Sequence, residues 1–383
     1  MSVRVAALGL VLSVAVPAQA AEPVRVSQGV FVRGDGSRFE WRGITAFRLA
    51  ELVASGRERE AAAYLAWGKT QHLTVVRVLA MAQVAFPLPP DKGRAAMARL
   101  LPLAASHGIA VEIVALADTA SYQFDIEGHV RDLGRLCQRE GLCTLEIANE
   151  PYHGTQDPRL HDRSFLAGLR RAVPAEVPVA LGAGNSGAES GGADYVTVHF
   201  PRERGWGHVA ALADGAPLRA RFKAPVVNDE PIGAAEAVVD GRRDADPERF
   251  RAAALLAIMA GIGSTFHYDG GIHATIPRGR QAMCFAAWNS AWTELPDQEL
   301  TDFHPLGPSD PLTVRGAAHA WVARVGSEVV VLAVGLPNAT AVAAKEGWTI
   351  KRARRWAGSG LWRLVTKTTG ARPLRSAAPR ATP

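Results

Sequence analysis

A chain of 383 residues that is 48% hydrophobic and 21% charged can bury a substantial core, which excludes a disordered protein and leaves room for a barrel of about 250 residues plus an appendage. Its net charge of +6 arises near the C-terminus: residues 351–383 carry nine Lys or Arg and no acid, against 34 basic and 37 acidic residues elsewhere. Nothing in that basic run resembles a nucleic-acid module, so nucleic acid is not an expected partner.

Residues 1–20 begin with Arg4, run apolar from Val5 to Val16 and end Ala18-Gln19-Ala20, the pattern of a secretory signal, which predicts a secreted or periplasmic mature protein. No later stretch is long and apolar enough for a membrane span. The stretch VRVSQGVFVRGDGSRFEWRG alternates apolar and polar residues around Gly34-Asp35-Gly36 and predicts a hairpin capping one end of the main domain.

Eight apolar, β-rich runs follow: GITAF (43–47), LTVVRVLA (73–80), IAVEIVAL (109–116), TLEIA (144–148), VPVALG (177–182), DYVTVHF (194–200), APVVND (224–229) and GSTFHY (263–268). Helical patterns separate several of them, among them PPDKGRAAMARLLPLAASHG, closed by Gly108, and the run from Pro247 to Gly261. Eight strands alternating with helices predict an α/β fold, a (β/α)8 TIM barrel over 21–295. The fifth and sixth strands are joined only by GNSGAESGGA, too short for a full crossover helix, and an open doubly wound sheet is the alternative.

A helix over Arg280–Trp292 closes the predicted barrel, and residues 296–311, rich in Pro and Asp, read as a connector. AAHAWVARVG, SEVVVLAVG and GLWRLVTKT predict a small antiparallel β appendage over 312–369, and 370–383 a basic, disordered tail or a weak contact with an anionic envelope. Cys137 and Cys143, in CQREGLC, are either a disulfide joining a helix end to the next strand or two free thiols, with Cys284 left over. No His pair or second Cys pair accompanies them, and no metal or other cofactor is expected.

In a barrel, the C-terminal ends of strands distant in sequence meet at one face. Glu150 ends the fourth run in LEIANEP and Glu230 the seventh in VVNDEP, so two carboxyls can flank one bond of a substrate, the arrangement that glycosidic cleavage requires. Glu146 shares the period-2 alternation with Glu150 and reads as a buried structural acid that needs a partner.

LEIANEP resembles the fourth-strand motif of the clan A glycoside hydrolases, especially the cellulase-like enzymes of family five. Trp41-Arg42-Gly43 is similar to that family's start, Arg77 in VVRV to its second-strand arginine, and His199 to the histidine ending its sixth strand. The resemblance spans roughly residues 30–270 and implies Glu150 as general acid/base, Glu230 as nucleophile, Asn149 on the sugar 2-hydroxyl, and Arg77 and His199 in the substrate site. A pyranose presents an apolar face to flat side chains, which makes Tyr268 and Trp206 candidate stacking surfaces, whereas Trp288, in the last predicted barrel helix, reads as core. Related enzymes usually end the eighth strand in Trp, where this chain has Phe266-His267-Tyr268. The function implied is a secreted retaining β-glycosidase acting on a polysaccharide or oligosaccharide; the alternatives are an exo-acting or transglycosylating member of the clan, or a glycan-binding barrel without turnover.

Overall fold

The computed structural model describes residues 22–183, 193–200, 205–237, 243–295, 300–338 and 340–367. The expected signal (1–20) and basic tail (370–383) lie outside them.

Eight parallel strands form the central sheet: β1 (Arg42–Thr45), β2 (Val75–Leu79), β3 (Ala110–Leu116), β4 (Cys143–Ala148), β5 (Val179–Ala180), β6 (Val196–Val198), β7 (Val226–Asn228) and β8 (Gly263–Phe266). Among the described residues β8 returns to β1, and each strand pairs with the next except β5 with β6. There the Asp194 and Tyr195 N–H groups donate to the Val179 carbonyl (2.9 and 3.3 Å), and Val179 N–H donates to the Asp194 carboxylate (2.9 Å). The ring is therefore nearly closed, and its weakest seam falls at the short fifth-to-sixth connection. Both faces of these strands are covered, which is why they read as continuous apolar runs.

The helices Pro90–Ser106, Ile126–Glu140, Pro247–Ala260 and Gly279–Glu294 pack outside the ring. Their apolar faces are supplied by residues such as Met97, Leu133, Leu255 and Trp288, and Asp125 and Asp246 cap two of them through their carboxylates. Cys137, in the helix Ile126–Glu140, and Cys143, the first residue of β4, are joined as a disulfide with Cα atoms 5.6 Å apart, while Cys284 is buried and free.

The N-terminal hairpin turns at Gln28-Gly29, between Arg25–Ser27 and Val30–Val32. Gly34-Asp35-Gly36 makes a second turn just after it, closed by Arg33 N–H to the Ser37 carbonyl (2.8 Å). Phe31, Phe39 and Trp41 pack on Val75, Ala110, Tyr195 and Val227 and plug the end of the barrel opposite the strand C-termini.

The appendage is larger than its sequence pattern indicated. Thr301–Pro305, placed in the connector by its Pro and Asp content, is the edge strand of a five-stranded antiparallel sheet. Its other strands are His319–Val325, Glu328–Val334, Ser359–Thr366 and, at the far edge, Trp348–Trp356, whose Lys and Arg residues hid it from an apolar pattern. Those basic residues are largely spent on internal pairs. Arg352 and Arg354 reach Glu294 at the end of the last barrel helix (2.9 and 3.5 Å), and Lys351 and Arg363 pair with Glu328. The pairs with Glu294, together with Leu332, Val334 and Leu361, which join the barrel's core, fasten the sheet to the barrel. Among the described residues no helix is long and apolar enough to cross a membrane.

Candidate active site

Side chains alternate along each strand, so every second residue enters the barrel. The lowest interior layer, Val75, Ala110, Ala180 and Val227, is apolar. Above it lies a charged layer that branched aliphatics ordinarily fill: Arg77 from β2, Glu112 from β3, Glu146 from β4, Thr197 from β6 and Asp229 just past β7, all fully buried.

Arg77 organises that layer. Its Nη2 donates to Glu146 (2.7 Å) and to Asn149 Oδ1 (2.9 Å), and its Nη1 donates to Glu230 (2.8 Å). Its Nε lies 3.2 Å from Glu146, 3.0 Å from Asp229 and 3.7 Å from Glu112, and the guanidinium carbon sits 5.2 Å from the Phe47 ring centroid. Burial alone would lower the Arg77 pKa, but the carboxyls of Asp229, Glu146, Glu230 and Glu112 together raise it well above the usual arginine range. The acid at 146 thus has its partner in Arg77, and its other oxygen accepts from Thr197 and from Ala183 N–H (both 3.2 Å).

One guanidinium cannot neutralise four buried carboxylates, and protons must make up the difference. Burial, reinforced by Glu146, pushes Glu112 up to about 8 against the opposing pull of Arg77 and of the Tyr195 hydroxyl, which donates to it at 3.1 Å. Burial likewise holds Asp229 well above the usual aspartate range, with Arg77 opposing and Glu146, Glu112 and Glu230 adding. Because the folded pKa of Glu112 is raised, the folded state binds the extra proton. That contribution to stability is complete below the ordinary carboxyl pKa and is lost as pH rises through about 8. Glu112→Gln is expected to match the wild-type melting temperature at pH 5 and exceed it at pH 9; a parallel pH dependence of the two proteins in thermal melts would contradict the assignment.

The mouth of the barrel carries the two expected acids. Glu150 follows β4 with a left-handed backbone (φ 44°), a conformation uncommon for a non-glycine residue and typical of functional turns. Its carbonyl accepts from His153 N–H (2.8 Å), and Gln156, held by Thr119, donates to the Asn149 carbonyl. Glu230 is nearly buried on Arg77, whereas the Glu150 side chain is 35% exposed. His199 lies between them: its Nδ1 is 2.9 Å from Glu150 Oε1, and its Nε2 is 3.9 Å from Glu230 Oε2. A carboxylate oxygen of Glu150, one of Glu230 and a ring nitrogen of His199 all lie within 4.8 Å of one another.

Gly182, just past β5, lets the turn at Glu150 close. Its φ is +131°, and a Cβ there would stand 2.3 Å from the Ala148 carbonyl oxygen and 3.0 Å from Pro151. Gly182→Ala is expected to displace Glu150 and lower kcat/KM by about 100-fold, the cost of an ångström-scale misplacement, with a far smaller change in the melting temperature. Unchanged kinetics would remove that role.

The structure thus brings Glu150, Glu230, Asn149, Arg77 and His199 together. It does not support the two expected stacking residues. Tyr268 is fully buried, its hydroxyl bonded to Tyr64 (2.9 Å) and to the Thr275 carbonyl (2.6 Å), because β8 turns Phe266 and Tyr268 outward onto the helices and His267 inward, where it meets Thr45 (3.0 Å). Trp206 is half-buried with its six-membered ring against Gly358 of the appendage, and Trp288 is core, donating to Ser264 (3.1 Å). Tyr152, two residues past Glu150 and 43% exposed, is the aromatic beside the acid that the strand-end reading passed over. Glu112 and Asp229 were also missed, although a lone acid in an apolar strand and an Asp abutting Glu230 are both signals of a buried charge that needs a partner.

Glu150, His199 and Glu230 are close enough to chelate a cation, as are Glu146, His199 and Asp229. The second group already surrounds the Arg77 guanidinium, and in the first His199 is engaged by Glu150. The charges are met by Arg77 and by protons, and neither group is assigned as a metal centre.

A nearly closed (β/α)8 ring with paired carboxyls at the mouths of its fourth and seventh strands has the architecture of a glycoside hydrolase barrel. More narrowly, the fold is similar to that of family 5 glycoside hydrolases. A family 5 glycoside hydrolase from Bacteroides vulgatus superposes with a TM-score of 0.61 over 95% of this chain and 96% of that one, at 12% identity. A candidate glycoside hydrolase of the same bacterium gives 0.62 over 87% and 68%, at 13% identity, and a family 5 mannosidase from Rhizomucor miehei gives 0.50 over 66% and 86%, at 11% identity. No protein-family model matches the sequence, and no curated protein matches it.

Proposed function

We propose that the protein is a retaining glycoside hydrolase that cleaves β-glycosidic bonds of a polysaccharide or oligosaccharide by double displacement. The observation that carries this reading is the approach of the two carboxyls: oxygens of Glu150 and Glu230 lie within 4.8 Å, in keeping with the separation of about 5 to 5.5 Å between carboxyl groups in retaining enzymes and short of the roughly 6.5 to 9.5 Å of inverting ones.

The division of labour follows from surroundings. Glu230, bonded to the Arg77 guanidinium, is held as the anion and attacks the anomeric carbon. Glu150, half-open at the mouth and bonded to His199, delivers a proton to the leaving oxygen and then takes one from the water that opens the glycosyl ester. Asn149 is oriented by Arg77 at its Oδ1, which leaves its amide N–H groups to donate to the sugar 2-hydroxyl. Tyr152 offers an exposed ring beside the acid for a sugar face.

The disulfide between Cys137 and Cys143 and the apolar run ending Ala18-Gln19-Ala20 support export to an oxidising compartment. Proton NMR of the product during hydrolysis of a β-linked oligosaccharide tests the stereochemistry: the β anomer is expected to form first and then mutarotate. The α anomer forming first would overturn retention. Binding of glycans without any release of reducing ends, across a broad β-glycan panel, would overturn the hydrolase reading in favour of a binding barrel.

A further inference from the structure

Three buried polar atoms near the catalytic pair have no hydrogen-bond partner among the described residues: Asp229 Oδ1, Asp229 Oδ2 and His199 Nε2. Asp229 Oδ2 stands 3.0 Å from Arg77 Nε without the alignment of a hydrogen bond, and Asp229 Oδ1 stands 3.5 Å from His199 Nε2. Buried polar groups are almost always hydrogen-bonded, so an acid that has only an ion pair and an imidazole nitrogen at this distance call for an explanation. On its other side the same imidazole is 2.9 Å from Glu150. Asp229, His199 and Glu150 therefore form a line from the barrel interior to the mouth.

We propose that this line is a proton relay in which Asp229 stores the proton that His199 passes to Glu150. Asp229 is then a positioning residue, acting on the reaction only through His199 and Glu150. The inference rests on the glycosidase reading above.

The protons balance through a full cycle. At rest Asp229 is a carboxylic acid donating to Nε2, His199 carries its proton on Nδ1, and Glu150 is a carboxylate. Transfer of the Asp229 proton to Nε2 and of the Nδ1 proton to Glu150 leaves Asp229 ionised, His199 neutral in its other tautomer and Glu150 acidic, with no change in net charge. Glu150 then gives its proton to the leaving oxygen as Glu230 bonds to the anomeric carbon. Glu230 is now an ester without charge, which frees the Arg77 guanidinium to neutralise the Asp229 carboxylate beside it. Water attacks the ester, its proton goes to Glu150, the Glu230 carboxylate departs, and the relay runs back to its resting state.

The groups around Asp229 fit this cycle. Arg77 from β2 stabilises its anion; Glu112 from β3, Glu146 from β4 and Glu230 beside it favour its acid, as does burial, and the Tyr195 hydroxyl is turned away to Glu112. The store is consequently protonated when Glu230 is charged and ionised when Glu230 is esterified. In such a coupled pair the alkaline limb of the rate belongs to Glu150 and Asp229 together.

Asp229→Asn keeps the shape and a donor to Nε2 but cannot give up a proton. On a glycoside with a poor leaving group, it is expected to lose about 10- to 100-fold in kcat/KM, within the range that general acid catalysis supplies. Its alkaline limb should move to lower pH. On the 2,4-dinitrophenyl glycoside of the same sugar, which leaves without a proton, the loss should be at least tenfold smaller. Equal losses on the two substrates would make Asp229 merely structural, and no loss on either would also overturn the relay. Nitrogen-15 NMR of histidine-labelled wild-type protein, with His199 assigned by its absence in His199→Gln, supplies a readout independent of turnover. A ring exchanging between tautomers in the wild type, and fixed with its proton on Nδ1 in Asp229→Asn, is expected; a single unchanged tautomer in both overturns the proposal. Failure of the wild type to cleave either glycoside would instead count against the glycosidase reading, and the NMR result would still decide the relay.

Discussion

Glu230→Ala is expected to lower kcat for glycoside hydrolysis by about 10⁴-fold or more, as removal of a covalent nucleophile does in enzymes whose catalytic groups act as a unit. The protein itself should survive. Glu230 gives one of several bonds to Arg77, which keeps Glu146 and Asp229 as counter-charges, so the melting temperature should fall by only a few degrees. Truncation also opens a space beside Arg77, where a small anion can approach the anomeric carbon from the face that Glu230 used. Azide should therefore restore turnover of an activated β-glycoside and give the α-glycosyl azide. The same variant retaining wild-type hydrolysis would remove Glu230 from the chemistry.

Arg77→Met is expected to abolish activity and also destabilise the fold, by about 3–5 kcal/mol, because it strips the counter-charge from a buried group of carboxyls. Methionine fills much of the space, so the loss is electrostatic more than steric. Its sign with pH follows from that cause. Without the cation, Asp229 and Glu112, which burial already holds above the usual carboxyl range against the pull of Arg77, keep their protons to still higher pH in the folded state. The deficit should therefore be smallest at pH ~3, below the ordinary carboxyl pKa, and grow as pH rises toward ~8. Denaturant melts of wild type and variant across that range check it, and a deficit independent of pH would point to packing instead of charge. Arg77→Lys should recover only part of either property, since one ammonium cannot serve Glu146, Asn149 and Glu230 together.

Much of this architecture is legible in the residues because its causes are local. The eight apolar runs are strands because parallel strands are covered on both faces, and the run that ends at Ala148 places Glu150 at a mouth by arithmetic alone. The short GNSGAESGGA linker, which spoke for an open sheet, lies outside the described residues except for Ala193; just after it, backbone and the Asp194 side chain bond to Val179 in place of a regular ladder. Glu146 was recognisable as an acid in need of a partner, but its partner, Arg77, comes from a strand 69 residues away, and only the register of β2 to β4 brings them together.

The stacking surfaces were not legible for a related reason. Tyr268 ends the eighth run, yet whether it or His267 enters the barrel depends on strand parity. That parity is fixed by Thr45 meeting His267 across β1 and by Tyr64 meeting Tyr268 on the outside. Trp206 has the look of a stacking surface in the sequence because nothing in its neighbourhood announces Gly358, which is 152 positions away and belongs to the appendage. The strand Trp348–Trp356 stayed hidden since its basic residues answer acids on other elements, Glu294 and Glu328, instead of forming an apolar pattern of their own. In each case the missing information is a contact between distant segments.

The central claim is that Glu230 forms a covalent bond to the sugar while Glu150 handles the proton. Incubation with a 2-deoxy-2-fluoro-β-glycosyl fluoride slows breakdown of that ester more than its formation, so intact-protein mass spectrometry should show one added 2-fluoroglycosyl group, and peptide mapping should place it on Glu230 in VVNDEP. A label on any other residue, or turnover of the reagent by an enzyme that never carries a label and releases the α anomer, would contradict the account.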